Sequence, residues 1–175
     1  TLLILVSSLL IPLAQGNGHS KEIFLSTLIG GSAPDRVRDV CIDSQGNIIV
    51  VGGTFSEDFP LRNAAQEVYG GGELDPEGHI RIPGDAFVAK FTADLELIWS
   101  TYLGGSDLDS ALHVLTGAQD EVIVFGLTTS TDFPVNFGSN PTGREEGDTF
   151  IAMYTSEGER IGARLYHPEE LDHIS

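Results

Sequence analysis

Residues 26–60 read STLIGGSAPDRVRDVCIDSQGNIIVVGGTFSEDFP, and residues 100–134 read STYLGGSDLDSALHVLTGAQDEVIVFGLTTSTDFP. The two stretches align at a shift of 74 without a gap, and 16 of their 35 positions are identical. Ser26-Thr27, Gly30-Gly31-Ser32, Asp35, Gly52, Thr54 and Asp58-Phe59-Pro60 recur as Ser100-Thr101, Gly104-Gly105-Ser106, Asp109, Gly126, Thr128 and Asp132-Phe133-Pro134. A second block repeats at a shift of 63: GDAFVAKFTADLELI (84–98) against GDTFIAMYTSEGERI (147–161), identical at 7 of 15 positions. The shifts differ because residues 61–83 exceed residues 135–146 in length. That longer stretch carries Gly70-Gly71-Gly72 and Pro76-Glu77-Gly78 and reads as a variable loop. Self-similarity at a fixed long period marks a repeat architecture.

Each period holds four strand candidates. Arg36–Asp43 and Asn47–Thr54 flank the turn Ser44-Gln45-Gly46, and the second is a nearly unbroken β-branched run. Such a run suits a strand covered on both faces. Asp85–Thr92 alternates Phe87, Ala89 and Phe91 with Ala86, Val88 and Lys90, and Glu96–Leu103 follows the polar turn Ala93-Asp94. The second copy offers Ser110–Thr116, Glu121–Thr128, Asp148–Thr155 and Glu159–Tyr166. Four short strands per period, punctuated by glycine turns, describe a propeller blade better than a sandwich or barrel.

The STYLGGS, VxGxTxSxDFP and GDAFVAK segments resemble the bacterial and archaeal β-propeller repeat called SBBP, over roughly residues 24–166. The sequence departs from that pattern at Asp120-Glu121, where the first copy has Gly46-Asn47, and in the 61–83 insertion. The resemblance implies a secreted or surface-attached repeat protein and brings no catalytic residues with it. Glu22–Ile29 aligns with Glu96–Leu103, the fourth strand of a blade. The expected fold is therefore all-β: a β-propeller fragment of two four-stranded antiparallel blades plus a lone N-terminal clasp strand, preceded by a signal-peptide helix. Residues 1–16 are the leader, 17–23 the start of the mature chain, 24–98 the clasp strand and blade 1, 99–166 blade 2, and 167–175 a tail or the start of a further blade. Two blades do not close a ring of the usual 4–8. Remaining blades of the same chain are expected beyond Ser175, with assembly from several short chains as the alternative.

The leader reading rests on TLLILVSSLLIPLA (1–14), which carries no charge, spans only about 21 Å as a helix, and precedes Ala14-Gln15-Gly16. The 175 residues carry 26 acidic and 9 basic side chains, a net charge of −17. That balance argues against nucleic acid and against anionic membrane surfaces, which both need a cationic footprint. No membrane insertion is expected after leader cleavage. Glycine makes up 21 of 175 residues, well above the usual ~7%, which fits repeated tight turns. One Cys excludes an intrachain disulfide.

No residue pattern isolates chemistry. Cys41 aligns with Leu115 and reads as a buried, inert thiol. The recurring carboxylates Asp35/Asp109, Asp58/Asp132 and Asp85/Asp148 read first as turn caps, with Ca²⁺ as the competing reading. No catalytic, cofactor-binding or metal residue is assigned, and no cofactor is expected unless it is Ca²⁺. His19, His79, His113, His167 and His173 are scattered, and His113 aligns with Asp39 on an outward strand position. The tail 167–173 reads as a solvated loop rather than a transition-metal site. Trp99, Phe87, Phe150, Phe59 and Phe133 are expected to pack between blades, whereas Phe55, Tyr69 and Phe137 lie near loops and suit ligand contact. The functional expectation is a non-catalytic, exported scaffold, secreted, periplasmic or on the cell surface, that meets a protein or glycan partner. The alternative is part of an extracellular propeller hydrolase or lyase whose catalytic residues lie in other blades.

Overall fold

A computed structural model describes residues 2–6, 25–71, 84–138 and 147–166. The described residues build three sheets and no helix. Strands β3 (Asp35–Ile42), β4 (Ile48–Thr54), β5 (Asp85–Phe91) and β6 (Leu97–Leu103) form an antiparallel meander in sequence order. Strands β7 (Asp109–Thr116), β8 (Val122–Thr128), β10 (Asp148–Tyr154) and β11 (Arg160–Tyr166) repeat that meander. The second sheet is five-stranded rather than four-stranded, because β9 (Phe137–Gly138) adds a short parallel edge to β11. The 61–71 segment makes the matching approach in the first sheet, where Arg62 bridges Ser100. In both sheets the loop after the second strand covers the outer edge, which protects unpaired backbone groups.

The repeat extends to irregularities. Both first strands bulge at equivalent points, between Val37 and Asp39 and between Ala111 and His113. The β3–β4 turn places Gly46 at φ +83°, and its equivalent Asp120 takes φ +60°. Asp120 accepts the left-handed strain while its carboxylate receives Ser44 N–H at 2.9 Å and Ser44 Oγ–H at 2.7 Å from the other sheet. A second contact between the sheets runs from Val114 N–H to Asp39 Oδ2 at 3.0 Å.

The first strand of the second sheet, β7, packs across β3, β4 and β5. One core therefore joins both sheets, with Ile49, Val51 and Val88 from the first and Val114, Val124 and Leu165 from the second. Trp99 stacks on Tyr154 with ring centroids 5.8 Å apart and donates Nε1–H to Ser156 O. Trp99 thus packs between sheets, as expected. Phe133 stacks on Phe150 at 4.8 Å, and both rings belong to the core that the two sheets share. Phe59 sits on Phe87 at 4.6 Å in a second cluster that includes Ile29.

Lys90 is buried under the second sheet. Its Nζ lies 2.9 Å from Asp43 Oδ2 and donates to Ser156 O at 3.0 Å. Burial works against the Asp43 charge, but hydrogen bonds from Asn47, Lys90 and Gln45 outweigh it and hold the carboxyl at about 2. Tyr154 Oη is buried with no hydrogen-bond partner. Tyr154→Phe removes an unsatisfied hydroxyl and keeps the ring, so urea denaturation should show a gain of about 1 kcal/mol.

One N-terminal expectation changes. The expected strand Glu22–Ile29 is not lone: β2 (Leu25–Ile29) pairs antiparallel with β1 (Leu2–Val6), from Leu2↔Ile29 to Val6↔Leu25. Within the expected leader, residues 2–6 are extended along that strand edge, which offers unpaired N–H and C=O groups. The rest of the expected leader, 7–16, and the expected start of the mature chain, 17–23, lie outside the described residues, as does the 167–175 stretch.

Candidate functional site

The repeated motif is a hydrogen-bond network. In the first copy Gly31 N–H and Ser56 Oγ–H donate to Asp35 Oδ2, Thr54 Oγ1–H donates to Asp35 Oδ1, and Ser32 donates N–H and Oγ–H to Asp58 Oδ1. The second copy repeats it with Gly105 and Ser130 on Asp109, and Ser106 on Asp132. Gly31 and Gly105 must be glycine, since a Cβ would stand 2.2 Å from Asp58 Oδ1 and 2.3 Å from Asp132 Oδ1. These bonds lower Asp58 and Asp132, chiefly through the Ser32 and Ser106 N–H groups. Asp35, Asp58 and Asp132 are turn caps, as the residues suggested.

Asp85 and Asp109 differ. Asp85 Oδ2 accepts Gly70 N–H at 3.0 Å and Gln66 Nε2–H at 3.2 Å, both from the 61–71 segment. Asp109 Oδ2 accepts Gly105 N–H at 2.7 Å and Ser130 Oγ–H at 2.8 Å. Asp85 Oδ1 is buried without a partner, and Thr128 adds a side-chain hydrogen bond to the Asp109 carboxyl. The two carboxylates flank one point: a Cβ on Gly104 would lie 2.6 Å from Asp109 Oδ2 and 2.8 Å from Asp85 Oδ1. Burial pushes Asp85 up to about 7 and Asp109 to about 6, and the Asp109 charge adds to the rise at Asp85. Sequence reasoning grouped Asp85 with Asp148 by repeat position. The closer relation is spatial, between the third strand of one copy and the first strand of the next.

A groove of about 570 Å³ opens between the two sheets. Arg36 and Arg38 stand on one wall, Leu112 and Leu127 on the other, and Phe55 and Asp109 also line it. Two of the chain's 9 cationic side chains thus meet in one concavity of an acidic protein. Sequence reading passed over Arg36 and Arg38, although their i, i+2 spacing on a strand puts both on one face.

Of the aromatics suggested for ligand contact, Phe55 lines the groove, Phe137 is exposed over Gly162, and Tyr69 packs edge-on against Tyr102 at 5.6 Å. His113 is exposed beside Asp39 at 3.5 Å, and the other four histidines lie outside the described residues. Cys41 is half-buried rather than buried, and Leu115 is 56% exposed, so the shared position is no core site. The second sheet covers Cys41, whereas Leu115 has no such cover among the described residues. Burial, then the Asp39 and Asp43 charges, push the thiol up to about 11, which makes it a poor nucleophile. Among the described residues no three His, Cys, Asp or Glu side chains converge as metal ligands, and no helix is long and apolar enough to cross a membrane.

The fold and groove define a class no finer than an all-β protein of two stacked, repeated sheets. No family model matches the sequence, and no curated protein matches it.

Proposed function

We propose that the two sheets are adjacent blades of an exported, SBBP-type β-propeller, acting as a non-catalytic scaffold that binds a protein or glycan. The observation that carries this reading is an asymmetry between equal sheets. In the first, β4 and β5 are buried on both faces, with Ile49, Val51 and Val88 fully covered. Their equivalents Ile123, Phe125 and Ile151 in β8 and β10 are only half-buried, and Leu127 beside them is exposed. The second sheet thus carries the apolar face that in the first sheet receives a neighbouring repeat. A head-to-tail interface of this kind propagates until it closes on itself.

The groove between the first strands then lies where adjacent blades meet, with Arg36, Arg38 and Phe55 suited to carboxylate or hydroxyl groups of a ligand. Export is supported by the uncharged apolar stretch 1–14 and the strongly acidic remainder. The test incubates the full chain with a panel of extracellular polysaccharides and proteins, measuring binding and turnover separately. Binding without turnover is expected, weakened about tenfold by combined Arg36→Ala and Arg38→Ala, roughly the ~1.4 kcal/mol of one arginine anchor. Turnover that disappears when a groove residue is changed would overturn the scaffold reading.

A further inference from the structure

We propose that the groove between the sheets binds an acidic sugar, a uronic acid borne singly on an otherwise neutral glycan; this rests on the scaffold reading above and names its ligand. The groove is where the two copies bring equivalent positions face to face. Arg36, Arg38 and Phe55 line it from the first copy, and Ser110, Leu112 and Thr129, at the same repeat positions, line it from the second. Residues that build the turn network are the same in both copies, as in Asp35/Asp109, Thr54/Thr128 and Ser56/Ser130. Their neighbours that face the groove differ in all three cases. The repeated sheet therefore folds without the arginines or the phenyl ring, and their presence in one copy answers to something other than the fold.

Charge points to an anion. Arg36 and Arg38 are exposed, and among the described residues neither guanidinium has an ion pair or a hydrogen bond. By contrast Lys90 is held by Asp43, Arg62 donates to Leu97 O, and Arg164 lies over the Tyr166 ring. Asp35 and Asp109 also border the groove, but their carboxylates are taken. Asp35 accepts from Gly31, Thr54 and Ser56, and Asp109 from Gly105, Thr128 and Ser130. Two free guanidinium groups on one strand are a ready seat for a carboxylate, which each can grip through parallel N–H bonds. The net charge of −17 limits how many charges the ligand carries. A dense polyanion is repelled by the rest of the surface, whereas one isolated carboxylate meets mainly the local field of the arginines. Phe55 offers the negative face of its ring to the C–H groups of a pyranose, and Ser110 offers a hydroxyl to its polar rim. A concavity of about 570 Å³ falls within the ~300–1,000 Å³ of small-ligand sites and suits a short oligosaccharide. A folded protein partner needs a broader face, roughly 800 Å² on each side.

Calorimetric titration of the full chain compares three probes: a trisaccharide ending in glucuronic acid, the same trisaccharide ending in glucose, and a blocked hexapeptide with one glutamate. The acidic sugar should bind about tenfold tighter than its neutral counterpart, the size of effect a hydrogen bond to a charged group gives. Arg36→Gln combined with Arg38→Gln should erase that preference, and Phe55→Ala should weaken both sugars alike. The double variant should melt with the wild type, since the arginines hold nothing else in the fold. A double variant that melts well below the wild type contradicts that premise and overturns the site. Equal affinity for the two sugars overturns it, as does a preference that survives in the double variant. Tighter binding of the peptide, or no binding by any probe, overturns it too. None of these results touches the scaffold reading, which falls instead if either sugar is turned over.

Discussion

Lys90→Met is expected to lower stability by about 3–5 kcal/mol, the usual cost of stranding one partner of a buried ion pair. Asp43 would keep its burial and its turn hydrogen bonds but lose the one cation that pairs with it among the described residues. The chain itself holds the control. In the second copy the equivalents of Lys90 and Asp43 are Met153 and Gly117, so the same place in the fold is built without any ion pair. Adding Asp43→Asn to Lys90→Met should therefore recover most of the loss, because a neutral amide keeps the turn without a buried charge. Urea denaturation of the two single variants and the double measures the coupling. Independent, additive effects would show that the pair is not the unit described. The same geometry fixes an acid limit. The depressed Asp43 carboxyl contributes stability above its ordinary value near 3.8 and loses it as pH falls toward about 2.

Gly126→Val should be at least as damaging, costing about 3 kcal/mol or more as a severe overpacking change. A Cβ at Gly126 would sit 2.2 Å from Ser110 O and 2.4 Å from Phe150 Cζ. Neither can withdraw, since Ser110 is held in the β7–β8 ladder and Phe150 is clamped under Phe133. Gly52 repeats the situation, 1.9 Å from Arg36 O. Both glycines lie opposite the residue that begins a bulge, Ala111 and Val37 respectively. The bulge turns a carbonyl toward the neighbouring strand, and only hydrogen fits beneath it. Gly53 is the contrast, with its nearest neighbour for a Cβ, Ser110 Oγ, at 3.5 Å. Gly53→Ala should be neutral or slightly stabilising, through the unfolded chain. Equal denaturation midpoints for Gly126→Val and wild type would mean the bulge does not crowd this position.

The strands were legible because the chain states each of them twice. All eight strands read from the repeat appear with ends shifted by no more than one residue, from Asp35–Ile42 to Arg160–Tyr166. The turn carboxylates were legible too, since Asp beside Gly and Ser has few local partners other than backbone N–H groups. What escaped was set by distance. Asp85 meets Asp109 only when one sheet stacks on the next, and no local pattern announces that meeting. Lys90 entered the sequence reading only as a strand position in line with Ala86 and Val88; its equivalent is Met153, and a position shared by Lys and Met was the available sign of burial. The recurring phenylalanines marked equivalent interior positions: Phe133 and Phe150 share a core with Ile49 and Val88, and Phe59 and Phe87 share one with Ile29. Leu115 misled, since its exposure depends on what covers the second sheet.

The central claim is that the two copies stack as neighbouring, equivalent sheets sharing one core. Methyl nuclear Overhauser effects on the isoleucine-, leucine- and valine-labelled chain test this most directly. Cross-peaks are expected that link the Ile49, Val51 and Val88 methyl groups of the first sheet to Val114 and Val124 of the second. The Ile123 and Ile151 methyl groups should lack the equivalent set, unless they gain it from another molecule at high concentration. Cross-peaks confined within each sheet would contradict the stacked arrangement.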